Sequence, residues 1–213
     1  MQPLKTNLKK VSISDKSNKE QMILEAAQKR FGMLGVEKTS MQEIADDLKL
    51  SKASLYYYFP DKERLYKAVI EKEQNEFVNM ITEKVLSINE PDELLREYVN
   101  ARLSYFRSLL NLSRLRLEAY SDLRPVFKET IIAFMEKEKE IVKKIFNDGI
   151  KKGIFTLEDS DSTASLFLNL LKGLRISVVN DKKTLFIEQE EYDKLLYDTV
   201  AFTDIFIKGI TRK

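Results

Sequence analysis

Apolar residues along this chain recur mainly at spacings of three and four, the period of helices that bury one side. Ile44, Ala45 and Leu48 make one narrow stripe of this kind. Just before it, Thr39 with Gln42 and Ser40 with Glu43 form overlapping capping signals, so a helix is predicted to start near Met41. The pattern breaks at Lys49 and Leu50, and Ser51 is placed to cap a second short helix over residues 52–59. Two short helices joined by a tight turn make a helix-turn-helix.

The flanking segments extend this reading. Ser17 with Glu20 is a further capping box, which predicts a first helix over 18–34 with Met22, Ile23, Ala26, Ala27, Phe31 and Leu34 inside, Arg30 at the edge and Gly35 as terminator. Asp61 caps a longer helix to about residue 86, bearing Leu65, Ala68, Val69, Phe77, Met80 and Ile81. Pro91 and Asp92 open another, with Arg102 interrupting the stripe Leu94, Leu95, Tyr98, Val99, Leu103 and Phe106. A break at 111–113 precedes a segment over 115–123, and Arg124-Pro125 starts a long helix to about 152. Its core face is read as Phe127, Ile131, Phe134, Met135, Ile141, Ile145 and Phe146, and Gly153 ends it. Helices over 162–179 and 190–210, separated by a polar loop at 180–183, complete an all-α chain. These last two are apolar on more than one side. They need more than one neighbour, either in a subunit interface or within one subunit.

In the second short helix, Leu55 and Phe59 face the core, which leaves Lys52, Ala53, Tyr56 and Tyr57 on the remaining faces. A phenol can donate to a phosphate oxygen. A helix that opens with Ser51, Lys52 and small Ala53 is able to enter a major groove about 12 Å wide.

The run Leu55-Tyr56-Tyr57-Tyr58-Phe59, Pro60-Asp61, Lys62, with Ala26-Ala27, Phe31, Gly35, Thr39 and Ile44-Ala45 before it, resembles the DNA-binding domain of the TetR family of transcriptional repressors. The likeness extends from about Lys19 to Leu65. It implies that Thr39, Tyr56, Tyr57, Tyr58 and Lys62 position the head on phosphates, with Ser51, Lys52 and Ala53 nearest the base edges. It further implies a fourth helix joining head to body and a homodimer held by the last two helices of each protomer. A small molecule in the body would move the fourth helix and release a palindromic operator. Two recognition helices on a two-fold axis meet successive major grooves only when about 34 Å apart, which makes such a shift effective. Departures from the family pattern are Lys49 where Gly is usual, Ala53 where Gly is common and Tyr58 where His is frequent. A left-handed backbone at Lys49 is strained by about 1 kcal/mol relative to Gly.

Composition narrows the chemistry. With no Cys and no His in 213 residues, disulfides, Cys/His zinc sites and His- or Cys-based catalysis are excluded. Glu118 and Asp122 stand at helical spacing but read as a solvated face, so neither an enzyme nor a cofactor is expected. No apolar run reaches ~18 residues and no signal peptide is visible, so a cytoplasmic protein without membrane contact is expected. The net charge of +2 is uninformative. Residues 1–19, however, hold Lys5, Lys9, Lys10, Lys16 and Lys19 against Asp15 alone. That pattern reads either as a solvated terminus or as a DNA-contacting arm.

The expected organisation is a basic flexible tail over 1–17, a three-helix DNA-binding domain over 18–66 and a larger helical ligand-binding and dimerisation domain over 67–213. In that body Tyr98, Arg102, Tyr105, Phe106, Tyr120, Phe127, Phe134 and Phe167 are the candidate contacts for an apolar or amphipathic effector. Each ring taken singly also reads as plain core. A buried Arg102 needs an anion, either a ligand or a carboxylate such as Glu118. The alternative to a ligand-responsive repressor is a dimeric architectural protein that binds duplex DNA broadly, with no ligand.

Overall fold

The computed structural model describes residues 5–108, 117–179 and 187–212, with side chains described from residue 16 onward apart from 85–86, 108–127 and 179. Among these residues the backbone forms eight helices: α1 (Lys5–Leu34), α2 (Met41–Asp47), α3 (Lys52–Tyr58), α4 (Lys62–Ser87), α5 (Pro91–Ser108), α6 (Leu117–Lys151), α7 (Ser160–Val179) and α8 (Gln189–Ile210). The all-α expectation holds. The chain divides into two compact units, residues 1–71 and 72–213, with the division inside α4.

Several boundaries differ from those expected. α1 starts at Lys5, not at residue 18. No Gly or Pro stands between Lys5 and Phe31, so nothing stops the helix from propagating past the capping pair Ser17 and Glu20. α6 runs unbroken through Pro125 instead of starting there. The missing amide costs one helical bond, which a helix of 35 residues tolerates. The expected loops at 111–113 and 180–183 lie outside the described residues.

In the first unit Ile23, Ala27 and Phe31 of α1 meet Ile44 and Ala45 of α2, Leu55 of α3, and Leu65, Tyr66 and Val69 of α4, all nearly inaccessible. Phe31 and Tyr66 pack edge to face, centroids 5.4 Å apart. The α1 stripe is narrower than expected, because Met22 and Leu34 are exposed. Gly35 ends α1 at φ 83° and donates to the Phe31 carbonyl, the left-handed termination that glycine makes without strain.

The second unit is a bundle in which α5 packs on α6 and α8, and α6 on α7. Phe77, Leu95, Tyr98, Val99, Phe134, Val142, Phe146, Phe167 and Leu195 are among the side chains of its core. Met135, expected inside, is exposed, and Val142 takes a core position instead. After α6 the chain doubles back, and the amides of Ile154 and Phe155 both donate to the Gly149 carbonyl. Phe155 lies so close that a β-carbon on Gly149 would fall 2.1 Å from its ring. Phe155 and Thr211 form an isolated antiparallel bridge that fastens the end of α8.

Candidate functional site

The geometry of the helix-turn-helix follows from local hydrogen bonds. Ser40 caps α2: its hydroxyl accepts from the Glu43 amide at 3.2 Å, and its own amide donates back to the Glu43 carboxylate at 2.8 Å. The second expected cap is not formed. Thr39 is 1% exposed and its hydroxyl donates inward to the Gly35 carbonyl at 2.9 Å. At the other end of α2, Lys49 (φ 54°) donates to the Asp46 carbonyl and Leu50 to the Ala45 carbonyl. This is a Schellman turn with lysine where glycine fits best. Ser51 then caps α3, accepting from the Ser54 amide at 3.1 Å.

α1 and α2 are tied by Arg30, which engages both carboxylate oxygens of Asp47 and lies 3.5 Å from Glu43. The hydrogen bond from Arg30 lowers the Asp47 pKa, and the hydrogen bonds from Ser40 lower that of Glu43.

On this frame α3 turns Leu55 and Phe59 inward and leaves Ser51, Lys52 and Ala53 exposed at its amino-terminal end. Tyr57 is 71% exposed and Tyr56 38%, while Tyr58 is half-buried with its ring edge-on to Tyr57. The Lys52 ammonium stands 5.8 Å from the Tyr56 ring centre. These six residues share one short element. Thr39 and Lys62 belong to its support: the Lys62 ammonium donates to the carbonyls of Val36 (2.9 Å) and Thr39 (3.1 Å). Thr39, Tyr56 and Lys62 also line one shallow concavity, together with Ser40, Pro60 and Asp61. A contact that the sequence pattern does not announce is Lys16, whose ammonium lies 5.3 Å from the Tyr57 ring centre.

In the second unit, Tyr98 and Arg102 are buried with Glu138; the carboxylate expected beside Arg102, Glu118, lies outside the described side chains. Arg102 Nε donates to Glu138 Oε1 at 2.7 Å and the Tyr98 hydroxyl to the same oxygen at 2.8 Å. Glu138 was legible in principle. It falls four residues after Phe134 and three before Ile141, on the apolar face of α6. Burial lowers the Arg102 pKa and the Glu138 charge raises it, with a net rise that keeps the guanidinium charged. Burial and the same carboxylate push the Tyr98 phenol well up.

The guanidinium of Arg102 lies over the Phe106 ring (4.6 Å), as does that of Arg175 (4.4 Å). Tyr105 stacks on Phe77 at 4.5 Å, and Phe77 touches Phe134. Tyr98, Arg102, Tyr105, Phe106 and Phe134 thus fall in one neighbourhood. Phe167 sits instead among Phe146, Phe202 and Phe206. Tyr120 and Phe127 lie outside the described side chains.

Residues 23–69 match the model of the family described as bacterial regulatory proteins, tetR family. A transcriptional regulator from Cytophaga hutchinsonii, known as a crystal structure, is 39% identical with a TM-score of 0.83 over 91% of this chain and 99% of that one. The HTH-type transcriptional regulator YuxN of Bacillus subtilis is 30% identical over 139 residues, 65% of this chain and 44% of that protein. The HTH-type transcriptional regulator RutR of Escherichia coli is 32% identical over 102 residues, 46% of each. The chain therefore spans less than half the length of these two curated relatives. Among the described residues, no helix is long and apolar enough to cross a membrane.

Proposed function

As a member of the TetR family of transcriptional regulators, this chain, we propose, is a repressor that binds a palindromic operator as a homodimer and leaves it when a small molecule enters the helical body. The observation that carries the DNA reading is the capped α3 with its exposed lysine and tyrosines. Ser51, Lys52 and Ala53 meet base edges in the major groove, and Tyr56, Tyr57 and Tyr58 donate to phosphates. Lys62 and Thr39 hold the loop before α2, and Lys62 retains one ammonium proton beyond its two carbonyls for a phosphate.

Homodimerisation is supported by the faces that α7 and α8 leave uncovered. Leu166, Leu170 and Ile176 are exposed on α7, and Tyr197 and Ile205 on α8, while Phe167, Leu171, Leu195 and Ile207 on the same helices are buried. Large apolar side chains on a second face of a helix are costly in water and favour a partner helix.

The effector site is the neighbourhood of Tyr98, Arg102, Tyr105, Phe106 and Phe134. Glu138 already neutralises Arg102, so the arginine demands no anion from a ligand, and an apolar or amphipathic molecule suits the rings.

Selection of bound duplexes from a random pool, followed by a salt titration, tests the reading. A palindrome with half-sites about one helical turn apart supports it, and supplies the probe for finding molecules that release DNA. Broad enrichment without a shared site supports the ligand-independent architectural alternative instead.

A further inference from the structure

One side of α8 is uncovered, and its side chains follow a regular order. Thr199 and Thr203 are buried on the opposite side, their hydroxyls donating to the carbonyls of Leu195 and Thr199 at 2.6 and 2.7 Å. At ~100° per residue, Tyr197, Asp198, Ala201, Ile205, Lys208 and Gly209 fall within about 120° of arc centred opposite Thr203. Tyr197 and Ile205 are 74% and 70% exposed, Asp198, Lys208 and Gly209 are exposed, and Ala201 is half-buried. A β-carbon built on Gly209 meets no atom within 4 Å, so the space above it is open.

Reversed about position 203, this side is complementary to itself. Tyr197 and Gly209 stand six residues either side of 203, Asp198 and Lys208 five, and Ala201 and Ile205 two. An antiparallel second copy therefore sets large against small at Tyr197 with Gly209 and at Ile205 with Ala201. It sets a carboxylate against an ammonium at Asp198 with Lys208, and two-fold symmetry makes every pair twice. A parallel copy sets each residue against itself, tyrosine on tyrosine and aspartate on aspartate. The antiparallel register also opposes Lys194 to Arg212, but Arg212 lies beyond the end of α8, where its amide donates to the Ile154 carbonyl.

We propose that α8 pairs antiparallel with α8 of a second copy, about a two-fold axis at the level of Thr203. Asp198 with the partner's Lys208, and Tyr197 over the partner's Gly209, fix the register. The proposal rests on the homodimer reading and adds what that reading leaves open: which helix meets its own copy, in which direction and at which residues. A second copy is the matching occupant because both the charges and the sizes of this side are answered by the same side reversed. Small residues at 201 and 209 let the two axes approach to about 8–10 Å, and the opposed charges set orientation and register more than affinity.

The test is sedimentation of the full-length chain, of its D198K and K208E variants, and of an equimolar mixture of the two variants. Each variant alone opposes like charges at two symmetric pairs, so its dimer dissociation constant is expected to rise about tenfold or more. In the mixture, the two lysines of the D198K chain meet the two acids of the K208E chain. A mixed dimer is therefore expected at close to the wild-type constant, and its formation also shows that both variants fold. Self-association of both variants at the wild-type constant overturns the register and leaves the homodimer reading intact, as does a weakening that mixing does not restore. A wild-type chain that stays monomeric overturns both. Where a charge variant does not fold, an exchange of sizes makes the same comparison: A201I alone weakens the dimer, and A201I/I205A, which swaps the large and small positions, restores it. An A201I chain that dimerises as the wild type does overturns the proposal.

Discussion

Arg102 of α5 and Glu138 of α6 form a buried ion pair at 2.7 Å, their side chains 7% and 3% exposed. Two charges at that depth are stable only together, and Tyr98 adds a further hydrogen bond to the carboxylate. Arg102→Ala alone leaves Glu138 as an uncompensated buried charge, with an expected loss of about 3–5 kcal/mol in denaturant unfolding. The apolar pair R102M/E138L is expected to recover most of that loss. Recovery would assign the pair to architecture, and any change in ligand response would then be read in that folded double variant.

Lys52 and Lys62 are expected to separate in a DNA-binding assay. Lys52→Ala costs about 1–3 kcal/mol on the preferred site and relaxes discrimination at one base position, if the lysine meets a guanine edge. Lys62→Met removes the hydrogen bonds to Val36 and Thr39. It therefore weakens all duplexes alike and lowers the melting temperature of the free protein. Competition between cognate and scrambled duplexes, together with thermal unfolding, distinguishes the two.

Lys49 holds a left-handed backbone with φ 54°. Lys49→Gly removes the clash of its β-carbon and is expected to stabilise the chain by about 1 kcal/mol in chemical denaturation. Lys49→Val at the same φ is expected to destabilise it.

Gly149 lies against the Phe155 ring, and an added β-carbon would come within 2.1 Å of it. Gly149→Ala displaces Phe155 from the core and strains the bridge to Thr211. A loss of about 1–3 kcal/mol is expected, and the companion change Phe155→Leu, by freeing space, should make the alanine less costly in a double-mutant cycle.

Acid is expected to act on the head through Asp47 and Glu43, whose pKa values in the fold lie below their ordinary 3.8 and 4.5. Lowered carboxylate values mean that the unfolded chain binds protons first, so the stabilisation is fully present above about pH 5 and is lost as pH falls through the folded values. The difference in melting temperature between wild type and Asp47→Asn should be constant near neutrality and shrink towards zero in acid. A constant difference down to pH 2 would remove Arg30–Asp47 as its source.

Much of the fold was legible because its cues are local. Capping pairs such as Ser40 and Glu43, the glycine at 35 and the periodicity of Leu55 and Phe59 act within a few residues. The motif from Leu55 to Lys62 carried the family for the same reason. What escaped depends on residues far apart in the chain. Glu138 stands 36 positions from Arg102, and Asp47 stands 17 from Arg30. Thr39 carries a capping signal, yet the tertiary structure turns its hydroxyl to Gly35 and buries it. The α1 start and the passage of α6 through Pro125 depart from the local cues because a cap or a proline biases a helix boundary by only a few kcal/mol, which the surrounding helix and its packing can override.

The sequence by itself determined the helical class, the helix-turn-helix, the family and the exclusion of Cys and His chemistry, since these rest on composition and on spacing within a single turn or two. Only the tertiary structure decided which charges are paired, which apolar side chains of α7 and α8 stay exposed, and that Lys16 meets Tyr57. Those outcomes depend on what packing brings beside each side chain, and no short stretch of sequence encodes its own distant neighbours.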